Sequence, residues 1–240
     1  MLGAARLAPG LRVLDVACGV GEPALEAARR VRPRGAVVAT DLLPEMVEAT
    51  REAARAEGLD NVECVLAAAE APPPGPFDAV TCRFGLMFFS DAVAAIEGWR
   101  RVARPGARIV AAVWAGPDQN PFMGIRTRVA REVLGSELPP LGPGQESLAV
   151  PGALAATLQA AGLKSVAVET VPLRWEAPDA RTWVAMMTEL SPPLAEALHG
   201  ASPATASSFL AELARAVSPY AGASGRVSVP ASSLVGFGEA

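Results

Sequence analysis

The sequence predicts an α/β fold built around a mostly parallel sheet. In the first two thirds of the chain, short β-branched or apolar runs alternate with longer helical patterns, as in successive βαβ units. A length of 240 residues and a hydrophobic content of 51% allow one sizeable core and fit one domain better than two. We therefore expect a single domain over residues 1–240, with its core at about 11–115.

Five apolar runs of this core are predicted to be strands, and they cover residues 12–17, 36–40, 62–66, 77–82 and 108–114. Pro23 and Pro44 suit the first turns of the helices that follow the first two strands, where a missing N–H costs nothing. Gly58 is placed as the C-terminal cap of the second helix. Asp91 is placed as the N-cap of the third helix, since its carboxylate can accept from a free amide of the first turn.

The last third of the chain alternates less regularly. Pro105 and Gly106 are expected to turn the chain into the strand at 108–114. Pro/Gly-rich segments at 116–121 and 139–144 then flank a helix with apolar residues at helical spacing. The later predicted elements are a helix at about 153–161, a strand at 165–171, two helical stretches and a last strand near 233–237. We expect the segments at about 116–150 and 176–225 to cover a site.

Composition excludes several classes of function. The formal net charge is −4 and no block of Lys or Arg stands out, so nucleic acid is not expected as a partner. The longest uncharged stretch, 147–163, contains Pro151 and Gly152 and falls short of a membrane span. The sequence shows no secretory signal, and we expect a cytoplasmic location.

Few side chains in this sequence could bind a metal. The chain has one histidine, His199, and three cysteines that do not cluster, so we expect no metal site. Each cysteine lies in or beside an apolar run, which favours buried, reduced thiols. His199 lies in a segment rich in Ala, Ser and Pro, and a place at the surface or at a helix end is favoured over a catalytic role.

A glycine-rich turn, VLDVACGVG at 13–21, follows the first strand. Gly19 and Gly21 lack a Cβ and tolerate positive φ, so a ligand could approach the backbone closely there. A phosphate-binding loop would need a Lys after its last glycine, but Glu22 and Pro23 stand there. The turn therefore fits a dinucleotide or S-adenosylmethionine (SAM) better than a nucleoside triphosphate.

Acidic residues favour SAM over a dinucleotide at this turn. Gly19, Gly21 and Ala24 do satisfy the dinucleotide spacing, and Asp41 stands where a ribose-binding acid is expected. A pyrophosphate, however, would be repelled by Asp15 in the strand that leads to the turn, whereas a ligand with a cationic amino-acid end would be attracted. The alternative without a bound ligand is that Asp15 only satisfies backbone amides and that the glycines only permit close packing.

Several motifs in order resemble those of class I SAM-dependent methyltransferases, in particular the branch around the ubiquinone/menaquinone-biosynthesis enzymes. The motifs are VLDVACGVG at 13–21, ATDLLPEMV at 39–47, AAAEAPP at 67–73, FDAVTCRFGLMFF at 77–89 and RVARPGARIV at 101–110. The resemblance implies a Rossmann-like three-layer sandwich whose mostly parallel sheet has seven strands, the last of them antiparallel. It also implies SAM as the cofactor.

The resemblance assigns roles to residues at the ends of the first four strands. It implies that Asp15 and the backbone of Ala17, Cys18, Gly19 and Gly21 hold the methionine end, and that Asp41 binds the ribose. The positions implied to contact the adenine and the methyl donor are Leu42, Met46, Ala68, Ala69, Glu70, Arg83 and Phe84.

Two features of this sequence differ from the pattern of the family that it resembles. Ala68 replaces an aspartate that is common in the adenine segment, so the exocyclic amine must be recognised by backbone or by Glu70, or be bound more weakly. Relatives usually carry helices before the first strand, whereas about ten residues precede it here. We expect the cover over the site to be shortened or supplied by other segments.

The acceptor pocket is expected beyond the carboxyl ends of the strands. The candidate side chains there are Arg83, Phe84, Met87, Phe88, Trp114, Asn120, Phe122 and Met123. Aromatic and Met side chains suit a flat or apolar small molecule, such as an aromatic or quinone-like acceptor of C- or O-methylation by in-line displacement, although each could equally be core. Arg83 is less easily explained as core and could pair with an anionic group.

Two other functions stay open on the sequence alone. One is an NAD(P)-dependent oxidoreductase built on the same turn, and the other is a non-catalytic SAM-binding module. The sequence also leaves the general base and the oligomeric state open, a homodimer included.

Overall fold

The computed structural model describes residues 1–135, 138, 144–189 and 191–240 of the chain, apart from the side chains of three residues at 145, 146 and 192. The segment predicted to be rich in Pro and Gly at 139–144 lies outside the described residues except for Gly144. Among the helices that are described, none is both long and apolar enough to cross a membrane.

Seven strands form one sheet: β1 (Arg12–Val16), β2 (Ala36–Asp41), β3 (Val62–Leu66), β4 (Phe77–Arg83), β5 (Ala103–Trp114), β6 (Lys164–Ala177) and β7 (Val227–Glu239). Their order across the sheet is β3-β2-β1-β4-β5-β7-β6. The pairs from β3 to β5 are parallel, and β7 runs antiparallel to both β5 and β6. The predicted Rossmann-like sheet with an antiparallel last strand is confirmed.

The described helices are α1 (Ala24–Val31), α2 (Pro44–Ala56), α3 (Ala92–Val102), α4 (Pro121–Leu134), α5 (Gly144–Ser147), α6 (Ala153–Ala160), α7 (Ala180–Glu189), α8 (Pro192–Gly200) and α9 (Pro203–Val217). Asp91 caps α3 as predicted, because its side chain accepts a hydrogen bond from the Ala94 N–H. Pro44 opens α2, where the unpaired amides of a helix start make a proline harmless.

Along the central strands, successive side chains point to opposite faces of the sheet. Val13 and its neighbours pack with α1, whereas Leu14 and its neighbours pack with α3 and α6. Strands buried on both faces read as continuous apolar runs, which explains why the core half of the sequence was predicted well. The sheet thus lies between two helical layers, and the carboxyl ends of β1, β2 and β4 meet at one edge.

Three strand ends were predicted wrongly, among them the start of β7, which lies at Val227 instead of near 233. β5 begins at Ala103 instead of 108, since Ala103 pairs with Phe77 and Arg108 with Ala79, and the extra residues bulge at Gly106 with φ 78°. β6 continues to Ala177 instead of 171. The strand continues through Pro172 because β6 is an edge strand, where a proline is tolerated.

A second apolar cluster, called here the cover cluster, lies over the far ends of β6 and β7. It is formed by residues of α4, α7, α8 and α9 with the strand residues Ala177, Val227, Val229 and Ala231. Trp114, at the end of β5, packs against both this cluster and the central core. The cover cluster therefore borders the edge of the sheet at which β4 and β5 end.

Candidate active site

The two glycines of the turn after β1 serve different purposes. Gly19 has φ 56° and Gly21 has φ 117°, both in the region that favours glycine. A Cβ on Gly19 would meet no atom within 4 Å, whereas a Cβ on Gly21 would lie 2.9 Å from Leu25 Cδ1. Gly19 therefore faces open space among the described residues, and Gly21 allows α1 to pack closely.

Ala17 adopts the same kind of backbone conformation without being a glycine. Its φ is 56°, a region that costs most residues about 1–2 kcal/mol. The following residue, Cys18, is held in place because its N–H donates to the Thr40 carbonyl over 2.9 Å. The turn is thus fixed to the end of β2 despite the strain.

Asp15 is completely buried, with 0% of its surface exposed. The parallel register places it opposite Thr81 of β4, whose hydroxyl donates to Asp15 Oδ1 over 2.5 Å. Asp15 Oδ2 has no hydrogen-bond partner among the described residues. Burial raises the pKa of Asp15 to about 7, an effect that the Thr81 hydrogen bond and the charge of Arg83 offset only in part.

Asp41 joins the turn to the end of β2. Its Oδ2 accepts from the Gly19 N–H over 3.0 Å, and its Oδ1 accepts from the Leu43 N–H over 3.1 Å. Thr50 of α2 completes the arrangement, because its hydroxyl donates to the Gly19 carbonyl over 2.8 Å. Each carboxylate oxygen can accept a further hydrogen bond, so Asp41 remains able to bind two hydroxyls.

An exposed apolar surface surrounds Asp41. Leu42 is 68% exposed and Val20 is 67% exposed, and Leu66 at the end of β3 is exposed as well. Met46 is half-buried beside them. Large apolar side chains left open next to a polar group are typical of a ligand site, and a flat ring could cover these.

Two hydrogen bonds hold the backbone of the predicted adenine segment, one from backbone to backbone and one from a side chain. The Ala67 N–H donates to the Asp41 carbonyl over 3.0 Å, and the indole N–H of Trp99 donates to the Ala69 carbonyl over 2.9 Å. Ala68 and Glu70 are half-buried on either side. The contact of Trp99 with this segment has no sign in the sequence, because only the fold brings α3 beneath it.

The end of β4 carries the predicted residues Arg83 and Phe84. Arg83 is exposed, and its Nε donates to the Glu22 carbonyl over 3.1 Å. Its guanidinium also lies 5.8 Å from the centre of the Phe84 ring. Phe84 has φ 58° and stacks on Trp114 with ring centres 4.2 Å apart.

A cavity of about 450 Å³ opens beyond Phe84, between the sheet edge and the cover cluster. It is lined by Arg83, Phe84, Met87, Phe88, Trp114, Phe122, Arg126, Leu173, Arg174, Trp175, Met187, Ser191 and Ala231. Trp175 lies parallel to Trp114 at 6.1 Å, and Phe122 meets both indoles edge-on. The volume and the aromatic walls suit a small planar molecule.

Asn120 was predicted to line the acceptor pocket, but it is not among the described residues that line the cavity. It is fully buried, and its Nδ2 donates to the carbonyls of Ala115, Gly116 and Ser232 while its Oδ1 accepts from the Ser232 N–H. These bonds join the end of β5 to β7. The side chain therefore has a structural position in the loop.

Several residues of the cavity were not among the predicted site residues. Trp175 lies on the part of β6 beyond Pro172, which the sequence assigned to no strand. Arg126 lies on α4 four residues after Phe122, so the helical spacing could have shown that it shares the buried face. Nothing in the sequence around Ser191 indicates that it would line the cavity.

The remaining reactive side chains lie apart from this cavity. All three cysteines are free: Cys18 and Cys82 are buried and Cys64 is half-buried. Burial raises the pKa of Cys18 to about 12, which keeps it a thiol. His199 is exposed in the last turn of α8. In the part of the chain that the structure describes, no three His, Cys, Asp or Glu side chains gather as a metal site would require.

Comparison with known proteins decides how the glycine turn is to be interpreted. A family profile described as "Methyltransferase domain" matches residues 13–106, from β1 through the start of β5. Nocamycin O-methyltransferase of Saccharothrix syringae is 32% identical over 191 residues, which is 73% of this chain and 67% of that protein. The chain belongs to the class I SAM-dependent methyltransferases.

Other relatives of this methyltransferase match a smaller part of it. The ubiquinone/menaquinone biosynthesis C-methyltransferase UbiE of Shewanella frigidimarina is 36% identical over 112 residues, which is 45% of each chain. The chain thus spans two thirds of the first relative and less than half of the second. A solved putative methyltransferase of Bacillus halodurans has the same fold, with a TM-score of 0.62 at 20% identity over 99% of this chain and 96% of that one.

Proposed function

We propose that this methyltransferase binds SAM across the carboxyl ends of β1, β2 and β4 and transfers its methyl group to a small planar acceptor in the aromatic cavity. The observation that carries the proposal is the position of Phe84. It follows β4, the strand beside β1, and it also forms a wall of the cavity. A donor at the turn and an acceptor in the cavity would meet there.

The residues at the turn fit SAM better than a phosphate-bearing cofactor. The open space above Gly19 admits the amino-acid end, and the buried Asp15 oxygen without a partner favours a nearby positive charge. Asp41 has acceptor capacity left for both ribose hydroxyls. The exposed Leu42 and the half-buried Met46 offer apolar surface to the adenine.

SAM when bound would supply an electrophilic methyl group on a sulfonium. The cavity residues would contribute alignment and exclusion of water, which can account for up to ~7–11 kcal/mol of a displacement barrier. Among the described residues that line the cavity, no Asp, Glu, His or Lys offers a general base. This composition supports an acceptor atom that is nucleophilic without an enzyme base. The names of both relatives, one an O- and one a C-methyltransferase, are compatible with either kind of acceptor atom.

Calorimetric titration with SAM and S-adenosylhomocysteine (SAH) tests the donor half of the proposal. We expect saturable binding of both, and we expect Asp41→Ala to weaken it by about 10- to 100-fold, since each lost hydrogen bond to a charged group is worth ~1.5–3 kcal/mol. Asp60→Ala is the matched control, because Asp60 is exposed and pairs only with Arg32 in the described structure. Absence of heat from either ligand at millimolar concentration would refute the proposal.

A further inference from the structure

Arg126 is an unusual residue on the buried face of α4. Only 5% of its surface is exposed, and it shares that face with Phe122, Val129 and Ala130. Arginine is almost never buried in proteins unless a carboxylate or another strong acceptor pairs with it. The burial of this side chain therefore calls for a partner.

The described structure supplies Arg126 with only one neutral partner. Its Nη1 donates to the hydroxyl of Ser191 over 2.9 Å, and its buried Nε has no hydrogen-bond partner. Burial lowers the pKa of Arg126, and among the residues that the structure describes no carboxylate counteracts that effect. By contrast, Arg128 on the exposed face of the same helix pairs with Glu132 at 3.2 Å. An unpaired buried guanidinium is costly, and it is tolerated best where a ligand completes it.

The cavity that Arg126 lines is positively charged. Arg83 and Arg174 lie on its exposed part, where they donate to the Glu22 carbonyl and to Ser228. No Asp or Glu is present among the described lining residues. Apart from Ser191, the rest of the described wall is aromatic or apolar, so only one polar side chain of the wall solvates the charge of Arg126. A ligand that carries a negative charge on a flat apolar body would match both features.

We propose that the acceptor of this methyltransferase is a planar aromatic acid whose carboxylate pairs with Arg126. This inference rests on the proposed function, because it assumes that the cavity holds the acceptor. The Nε side of a guanidinium presents two parallel donors that match the two oxygens of a carboxylate. The aromatic rings of Trp114 and Trp175 would hold the flat body of the acid.

The test uses two probes of the same shape, 2-naphthoate and its neutral amide 2-naphthamide, titrated calorimetrically into the full chain without cofactor. We expect the naphthoate to bind the wild type about 10- to 100-fold more tightly, as charge-assisted hydrogen bonds in a water-poor site allow. Arg126→Met should abolish this preference, whereas Arg126→Lys should retain part of it. Arg128→Met is the matched control, and it should leave the preference unchanged.

A melting curve separates loss of the ligand contact from loss of the fold. Removal of an uncompensated buried charge should leave the melting temperature of Arg126→Met unchanged or raised. Equal binding of both probes by the wild type, no naphthoate binding at millimolar concentration, or a preference that survives in Arg126→Met would overturn the proposal. Naphthoate binding by a chain that does not bind SAH would contradict the proposed function alone, and the converse would contradict the acid acceptor alone.

Discussion

Asp15→Asn should change how the stability of the protein depends on pH. The asparagine has the shape of a protonated aspartate, and its Oδ1 can still accept the hydrogen bond from Thr81. It differs in that it cannot ionise. The variant therefore isolates the free energy associated with ionisation of a fully buried carboxyl.

The size of the effect follows from the pKa of Asp15, which is raised from 3.8 to about 7 in the fold. Below about pH 4 both the folded and the unfolded chain hold the proton, so the group adds no pH dependence. Between pH 4 and 7 the unfolded chain releases the proton while the folded chain keeps it, so stability falls as pH rises, and it levels off above pH 7. A shift of about three units corresponds to roughly 4 kcal/mol at ~1.4 kcal/mol per unit.

Urea denaturation at intervals from pH 4.5 to 8.5 measures this difference. We expect the free energy of unfolding of the wild type to fall by roughly 3–4 kcal/mol relative to Asp15→Asn across that range. Asp60→Asn, a change at an exposed carboxylate, should follow the wild type. Parallel pH profiles for the wild type and Asp15→Asn would show that Asp15 ionises normally, and the account of its burial would be wrong.

Two further substitutions test the local structure by the same denaturation assay. Asn120→Ala should lower the free energy of unfolding by about 2–4 kcal/mol, because it removes the hydrogen bonds that join β5 to β7; a loss below about 0.5 kcal/mol would contradict this role. Ala17→Gly should raise it by about 0.5–1 kcal/mol, because glycine adopts φ 56° without strain. Ala28→Gly, inside α1, should instead destabilise by about 1 kcal/mol, and a destabilised Ala17→Gly would show that the turn is unstrained.

The central half of the fold was predictable because its residue pattern and its turn residues both indicate the elements that form there. Strands β1, β2 and β4 are mostly apolar and buried, and prolines or an aspartate mark the starts of the helices that follow them. The long antiparallel pair of β6 and β7 was predicted too short. β6 lies at the sheet edge and exposes many of its residues, so no apolar pattern revealed how far it extends.

The site was predictable to different degrees at its two ends. Asp41 and Gly19 could be brought together from the sequence, because both follow neighbouring parallel strands. The cavity depends on contacts between segments far apart in the chain, such as Trp114 with Trp175. The spacing of Arg126 from Phe122 places it on the buried face of α4, but a charged residue type argued against burial there.

A crystal structure of the protein with SAH would show whether the cofactor binds across the carboxyl ends of β1, β2 and β4. We expect both ribose hydroxyls to lie within hydrogen-bond distance of the Asp41 carboxylate, with the amino-acid end above Gly19 and the sulfur on the side of Phe84. A ligand bound elsewhere, or one whose ribose does not touch Asp41, would contradict the account.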